Sequence, residues 1–249
     1  MAHLPFTILN PQGRTDIVIT CDHASNVVPA DYGNLGLGPE DLLRHIAWDI
    51  GAAGIARRLS RQFDCPAILC GTSRLVIDCN RHPNDPAAMP EVSDGTVVTG
   101  NQNLNDSARR ARVDRFFTPY HDAIEDVIGE RLAAGKRPLI LSVHSMTPAM
   151  NGAFRPWEIS LSSNEERSTA DQMLPLLRQR SDITVGDNQP YNMDPAEDYS
   201  TPAHALAHRL PYLQVEFRQD RVADDAGVRH WSDIFAAALV ELQQQRDLT

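Results

Sequence analysis

The sequence predicts an α/β fold in which helices flank a parallel or mixed central sheet. Two observations carry that expectation. Short apolar runs of β-branched character, Ile17-Val18-Ile19-Thr20-Cys21, Leu139-Ile140-Leu141-Ser142-Val143 and Leu213-Gln214-Val215, have the length and composition of buried strands. Each of them ends on polar residues suited to chemistry, Asp22 and His23, His144, and Glu216, and in such sheets ligands gather at the carboxyl ends of strands. A chain of 249 residues with 42% hydrophobic and 22% charged residues suits one α/β domain spanning 1–249.

Taken in order, residues 17–21 form the first strand. The loop from Asp22 to Pro39 carries Pro29, Gly33, Gly36 and Gly38, and its length marks it as a small excursion or a functional loop. Pro39 and Glu40 suit a first helical turn, and Leu42, Ile46, Ile50, Ile55 and Leu59 predict one helix from there to about Arg61. Ala67-Ile68-Leu69-Cys70 and Arg74-Leu75-Val76-Ile77-Asp78 read as two further short strands. A loop rich in proline and glycine follows from Pro83 to Gly100. Asn105 or Asp106 caps a long helix through Leu132, divided or kinked at Pro119, and Gly135 stops it before the strand at 139–143. A helix over about Glu165 to Arg180, a short strand at 183–185, a short helix at 201–209 and a last helix at 230–245 complete the reading. No repeat or interdomain linker appears.

The formal charge of −10 opposes general attraction to nucleic acid or anionic membrane, because both are polyanions. A small anionic substrate remains compatible, since a few convergent arginines set the local potential; Arg74, Arg81, Arg109, Arg112 and Arg218 are the candidates. Cys21, Cys65, Cys70 and Cys79 form no CxxC pair, so buried thiols in a reducing compartment are expected. The N-terminal run shows no secretory pattern and no apolar stretch is long enough to span a bilayer, which makes the cytoplasm the expected location.

His23 and His144 are the leading metal-ligand candidates. A hydrolytic zinc commonly takes three protein ligands and leaves one position for water. Asp49 and Asp78 are alternatives for the third. Asp49 lies in the first predicted helix, one turn after His45, and its apolar neighbours Ile46 and Ile50 imply partial burial, which demands a partner for its charge. Asp78 ends a predicted strand and could instead hold Arg81 through a charge-assisted bond. Asp22 is a candidate anchor behind the histidines, and Asn26 is a poor zinc ligand. Glu216 is the expected general base, taking a proton from water as it attacks an amide carbon and returning it to the leaving nitrogen. The competing structural role for Glu216 is an ion pair with Arg218.

Six segments in order, Cys21-Asp22-His23-Ala24-Ser25-Asn26, Arg44-His45-Ile46-Ala47-Trp48-Asp49-Ile50-Gly51, Ser73 to Arg81, Ser142-Val143-His144-Ser145, Asp187-Asn188-Gln189-Pro190-Tyr191 and Glu216-Phe217-Arg218-Gln219-Asp220, resemble the N-formylglutamate amidohydrolase family. That family looks related to zinc carboxypeptidases and aspartoacylases. The resemblance therefore implies a three-layer α/β/α sandwich with a central mixed sheet, of the phosphorylase/hydrolase-like, zinc-exopeptidase type, and one zinc ion. It implies Asp49 over Asp78 as third ligand, because similar amidases take an acidic ligand from the helix after the first histidine. In the relatives an Asp-x-Asn-Arg run, matched by Asp78-Cys79-Asn80-Arg81, uses its last two residues on a substrate carboxylate. Arginine suits that task because it offers two parallel bonds. Arg74 is a candidate for a second carboxylate or for bracing Asp78; Asn188 and Tyr191 for a loop closing over substrate; Arg218 for the anion; and His204 for contact with the acyl group.

The implied reaction is hydrolysis of N-formyl-L-glutamate to formate and L-glutamate, a late step in some routes of histidine breakdown. Another N-acyl-amino-acid amidohydrolase or a carboxypeptidase-like enzyme is the enzymatic alternative, and a non-catalytic protein binding acidic metabolites is the other. Ser145 lacks a serine-hydrolase elbow and is not expected to act as a nucleophile.

Overall fold

A computed structural model describes residues 3–164 and 166–247. Met1 and Ala2, where the N-terminal reading began, and Glu165, expected to open a helix, lie outside the described residues. The described residues build a seven-stranded mixed sheet from β1 (Phe6–Leu9), β2 (Ile17–Cys21), β3 (Ala67–Cys70), β4 (Leu139–Met146), β5 (Ile159–Ser162), β6 (Val185–Asp187) and β7 (Tyr212–Arg218), in the spatial order β1-β3-β2-β4-β7-β5-β6. β3, β2, β4 and β7 run parallel to one another, as do β5 and β6, while β1 pairs antiparallel with β3 and β5 antiparallel with β7.

Helices cover both faces, which is the expected α/β/α layering. α1 (Ala52–Gln62), α4 (Ser168–Arg178) and α5 (Asp225–Asp247) bury Ile55, Leu59, Met173, Leu177, Phe235 and Leu239 against one face, together with Ile17, Ile19, Leu141, Val143 and Val215. α2 (Asp106–Arg112) runs through a π-helical turn, Val113–Phe117, into α3 (Thr118–Ala133), which packs Tyr120, Ile124 and Ile128 on the opposite face with Val18, Ile68 and Ile140. Asn105 caps α2 as its sequence position suggests, accepting from the amide of Ala108 at 2.8 Å. Burying each such aliphatic side chain is worth roughly 1.5–3 kcal/mol. Strand side chains alternate faces, so Ser142 and His144 on β4, and Gln214 and Glu216 on β7, point to the α3 side. Polar groups buried in mid-sheet cost stability unless partnered.

Three expectations need correction. The apolar run at 74–78 is not a strand: Arg74 donates its amide to Ala47 and Val76 donates to Ser73, so the backbone is satisfied by turns, and Leu75, Val76 and Ile77 are buried without joining the sheet. The predicted helix over 42–61 is helical in regular form only from Ala52. Ile46 packs in the α3-side core whereas Ile55 and Leu59 pack in the other, so these residues never shared one helix face. Strand β5 was absent from the sequence reading, because only Ile159 and Leu161 of its four residues are apolar, yet it is fully buried between β7 and β6.

The turn that replaces the helix ends at Gly51, whose φ of +85° is left-handed. A Cβ there would lie 2.3 Å from the carbonyl oxygen of Val222 and 2.5 Å from its Cγ2. Gly51→Ala is accordingly expected to lower stability by about 2–4 kcal/mol, combining backbone strain with overpacking. Equilibrium denaturation checks it, and a change below about 1 kcal/mol would contradict the close approach. No helix among the described residues is long and apolar enough to cross a membrane. The four cysteines are free and buried.

Candidate metal centre

β2, β4 and β7 end side by side, and the register sets Glu216 opposite His144. His23 lies two residues past the end of β2. Its ring and that of His144 stand 5.1 Å apart, edge to face. Asp49 reaches them from the turn before α1, which is pinned from several sides. The Asp49 amide donates to the His23 carbonyl at 3.0 Å, Ser73 Oγ donates to the Ala47 carbonyl at 2.8 Å, and Ser145 Oγ donates to the Ile50 carbonyl at 2.7 Å. One ligand atom from each of His23, Asp49 and His144 lies within 4.8 Å of the other two, and all three residues are buried.

The remaining ring nitrogens are held from behind. Asp78 Oδ1 lies 2.7 Å from His23 Nε2. Ser142 Oγ lies 3.0 Å from His144 Nε2, and Asp22 Oδ2 lies 3.3 Å from it, close in charge but outside hydrogen-bond alignment. Carboxylates on Nε2 fix the ring orientation and favour the tautomer that leaves Nδ1 as a lone pair. Both Nδ1 atoms converge on Asp49 Oδ2, at 3.3 Å for His23 and 3.0 Å for His144. Two imidazole lone pairs, one carboxylate oxygen and backing carboxylates form a donor set that fits a zinc ion.

Without a cation, the same carboxylates draw protons onto both rings, which a bound metal ion would displace. Burial and the Arg74 guanidinium resist protonation of His23, but Asp78 and Asp49 outweigh them and raise its pKa to about 9. Burial likewise opposes protonation of His144, and the nearby carboxylates of Asp22 and Asp49 carry it well above the ordinary value. Burial disfavours the charged forms of Asp49 and Asp78, yet His23 and His144 hold the first, and Arg74 and His23 the second, well below the usual carboxylate range. Glu216 moves the other way. Burial first, then the charge of Asp49, pushes its carboxyl up to about 7, against the pull of His144, His23 and Arg74.

These groups line one cleft of about 550 Å³ with Arg74, Asp78, Asn80, Arg81 and Tyr191. Arg74 Nη2 bonds Asp78 Oδ2 at 2.5 Å, and its Nη1 lies 3.5 Å from Asp49 Oδ1, so it braces both carboxylates. Arg81 Nη1 donates to Asp198 at 3.3 Å. Asn80 donates to the same oxygen of Asp198 at 2.9 Å, and its own oxygen accepts from the amides of Tyr199 and Ser200. Tyr191 lies over the Arg155 guanidinium, 4.9 Å from the ring centre.

Other sequence candidates are not brought to the cleft. Arg218 donates to Asp220 and to the carbonyls of Arg155 and Pro156, and no ion pair with Glu216 forms among the described residues. Asn188 accepts from the amide of Ser163. His204 is buried against His121 and Glu125. Arg109 and Arg112 are committed to carbonyls of the loop at 76–100. His45 does line the cleft but faces Asp94 at 3.4 Å instead of sharing a helix face with Asp49. Asn26 holds the Leu42 carbonyl at 2.9 Å. Sequence reasoning missed Asp198, Ser200 and Tyr120. The last two bond Asp22 Oδ1 at 2.7 and 2.8 Å, and neither sits in a pattern that announces it.

A family model described as N-formylglutamate amidohydrolase matches residues 15–223. Among solved structures the chain is similar to gene product Atu2144 from Agrobacterium tumefaciens, with 34% identity over 96% of each chain and a TM-score of 0.88. It is also similar in fold to an N-formylglutamate amidohydrolase from Ralstonia eutropha JMP134, with 22% identity over 98% of this chain and 99% of that one and a TM-score of 0.70. No curated protein matches the chain.

Proposed function

Since the chain belongs to the N-formylglutamate amidohydrolase family, we propose that it is a zinc-dependent hydrolase of a small anionic N-acyl amino acid, with N-formyl-L-glutamate as the preferred substrate and formate and L-glutamate as products. The observation that carries this reading is the convergence of His23 Nδ1, Asp49 Oδ2 and His144 Nδ1 beside the buried carboxyl of Glu216.

His23, Asp49 and His144 would hold the ion. Bound zinc supplies Lewis acidity that polarises an acyl oxygen and acidifies water. Glu216 is the general base: its carboxylate takes the proton of the attacking water and delivers it to the departing amide nitrogen. A group poised near neutrality suits both halves of that transfer. Asp78 and Asp22 keep the two imidazoles turned toward Asp49, with Arg74 bracing Asp78. Arg81 grips the substrate carboxylate through nitrogens that have no acceptor among the described residues, while Asn80 keeps the loop at 198–200 in place behind it.

Formate release and metal content, measured together across formyl-, acetyl- and peptide-bearing substrates, test the proposal. The expected result is one zinc per chain and the highest kcat/KM on N-formyl-L-glutamate. A metal-loaded protein inactive on that substrate would overturn the substrate assignment. Full activity in metal-free protein would overturn the mechanism.

A further inference from the structure

Behind the cleft, on the α3 side, two buried histidines meet. His121 Nδ1 and His204 Nε2 are 2.7 Å apart, and the rings stack with centres 5.0 Å apart and planes 22° from parallel. Each outer nitrogen faces an acceptor. His121 Nε2 is 2.9 Å from the carbonyl oxygen of Cys79, and His204 Nδ1 is 2.5 Å from Glu125 Oε1. A carbonyl cannot donate, and Glu125, also bonded by His208 at 2.9 Å, is held as a carboxylate first by its bond from His204. Both outer nitrogens therefore carry hydrogen. Two lone pairs do not face each other at 2.7 Å, so a further proton lies between the inner nitrogens. Three protons on two imidazole rings make one imidazolium. Burial, followed by the charge of His204, depresses His121 to about 3, which leaves the charge on His204 next to Glu125.

The pair grips a strategic carbonyl. Cys79 lies between Asp78, which holds His23, and Asn80, which holds Asp198 and the amides of Tyr199 and Ser200. Ser200 Oγ reaches the same Cys79 oxygen at 3.4 Å and donates to Asp22 at 2.7 Å. One backbone oxygen thus ties together the supports of both zinc-site imidazoles. We propose that His121 and His204 act as a singly charged, proton-sharing pair that positions the Asp78–Arg81 segment for catalysis; the positioning half of this proposal rests on the hydrolase reading above.

The titratable and charged groups around the pair are Glu125 and Tyr120 from α3, His208 beyond the π-helical turn at 202–206, Asp22 after β2, and Tyr199 and Cys79 from the flanking loops. Their balance sets the sign. All three contacts are complete while the pair holds its proton; as pH rises through the point of release two hydrogens remain for three contacts, and the linked arrangement around the Cys79 carbonyl loosens. Glu125 supplies the compensating negative charge from a half-exposed position, so Glu125→Gln is expected to fold and to move that point to lower pH.

Nitrogen-15 NMR of histidine-labelled, zinc-loaded protein tests the charge state. At pH 7.5 one ring of the pair is expected to carry hydrogen on both nitrogens. In Glu125→Gln that ring is expected to lose its proton about one pH unit lower or more, and the alkaline fall of kcat/KM should move with it. kcat/KM at pH 6.5 should stay within about threefold while KM at pH 9 rises roughly tenfold. Two neutral rings at pH 7.5 would overturn the proposal, and an alkaline limb that does not move would overturn the positioning role. Absence of turnover on every N-acyl substrate would strike the hydrolase reading and leave the NMR result decisive for the charge. In that case loss of zinc to a chelator at pH 9 replaces turnover as the readout; faster loss in Glu125→Gln supports positioning, and equal loss refutes it.

Discussion

Glu216→Gln is expected to lower kcat/KM by about 10²–10⁴-fold, the contribution typical of a positioned general base, with zinc content unchanged. The amide keeps the shape of the side chain but cannot accept the water proton. Because the proposed general base acts as a carboxylate, kcat/KM of the unaltered enzyme should fall on the acid side. In the metal-free fold Glu216 titrates at about 7, and a divalent cation beside it draws that limb lower. The residual activity of the variant should lack the limb. Stability should change in the opposite sense to activity. A carboxyl raised from its ordinary value of 4.5 adds no cost below pH 4.5; the cost builds as pH rises from 4.5 to about 7 and is fully present above that. Replacing it should therefore stabilise metal-free protein at pH 8 by on the order of 2 kcal/mol. Near-normal turnover in Glu216→Gln would remove the residue from the mechanism.

The second large effect concerns the third ligand. Asp49→Asn is expected to weaken zinc binding by well over 100-fold, since even the residues that merely support metal ligands are worth about 10–100-fold. Activity should disappear with the metal. The variant also deprives two raised-pKa imidazoles of their shared anion. His23 contributes stability in metal-free protein that is fully present below pH 6.5 and is lost as pH rises through about 9. Asp49→Asn should remove part of that contribution, costing roughly 2–4 kcal/mol at pH 6. Asp78→Asn supplies the contrast. Asp78 touches the far nitrogen of His23 and not the convergence point, so its loss should cost zinc affinity only about 10–100-fold. Equilibrium dialysis with metal analysis separates the two carboxylates, and equal losses would return Asp78 to contention as ligand.

The strands that carry His23, His144 and Glu216 were legible because dense apolar runs have few other uses in a chain of this composition. The run at 74–78 looked the same and is a buried turn segment, because local apolarity reports burial and not hydrogen-bonding pattern. Asp49 was visible as a buried acid, but its route to the site was not. The spacing of Ile46 to Leu59 mimics a helix although those residues pack on opposite sides of the sheet. Arg218 and His204 carry suggestive side chains, and only tertiary partners, Asp220 for one and Glu125 for the other, show that they turn from the cleft. The support of Asp22 by Tyr120 and Ser200 spans separations of 98 and 178 residues, beyond the reach of any local pattern.

That span has a consequence for how the protein comes into being. Asp49 meets His144 across 95 residues, and Ser200 must arrive from 178 residues away before Asp22 has its full set of bonds. Contacts this distant are expensive to close early, so a chain in which β2 and β4 have not yet paired would offer a metal ion scattered side chains instead of a chelate. Zinc capture, if the three residues hold the ion as proposed, would then report a finished sheet, and unfolded chains are expected to compete poorly for the metal.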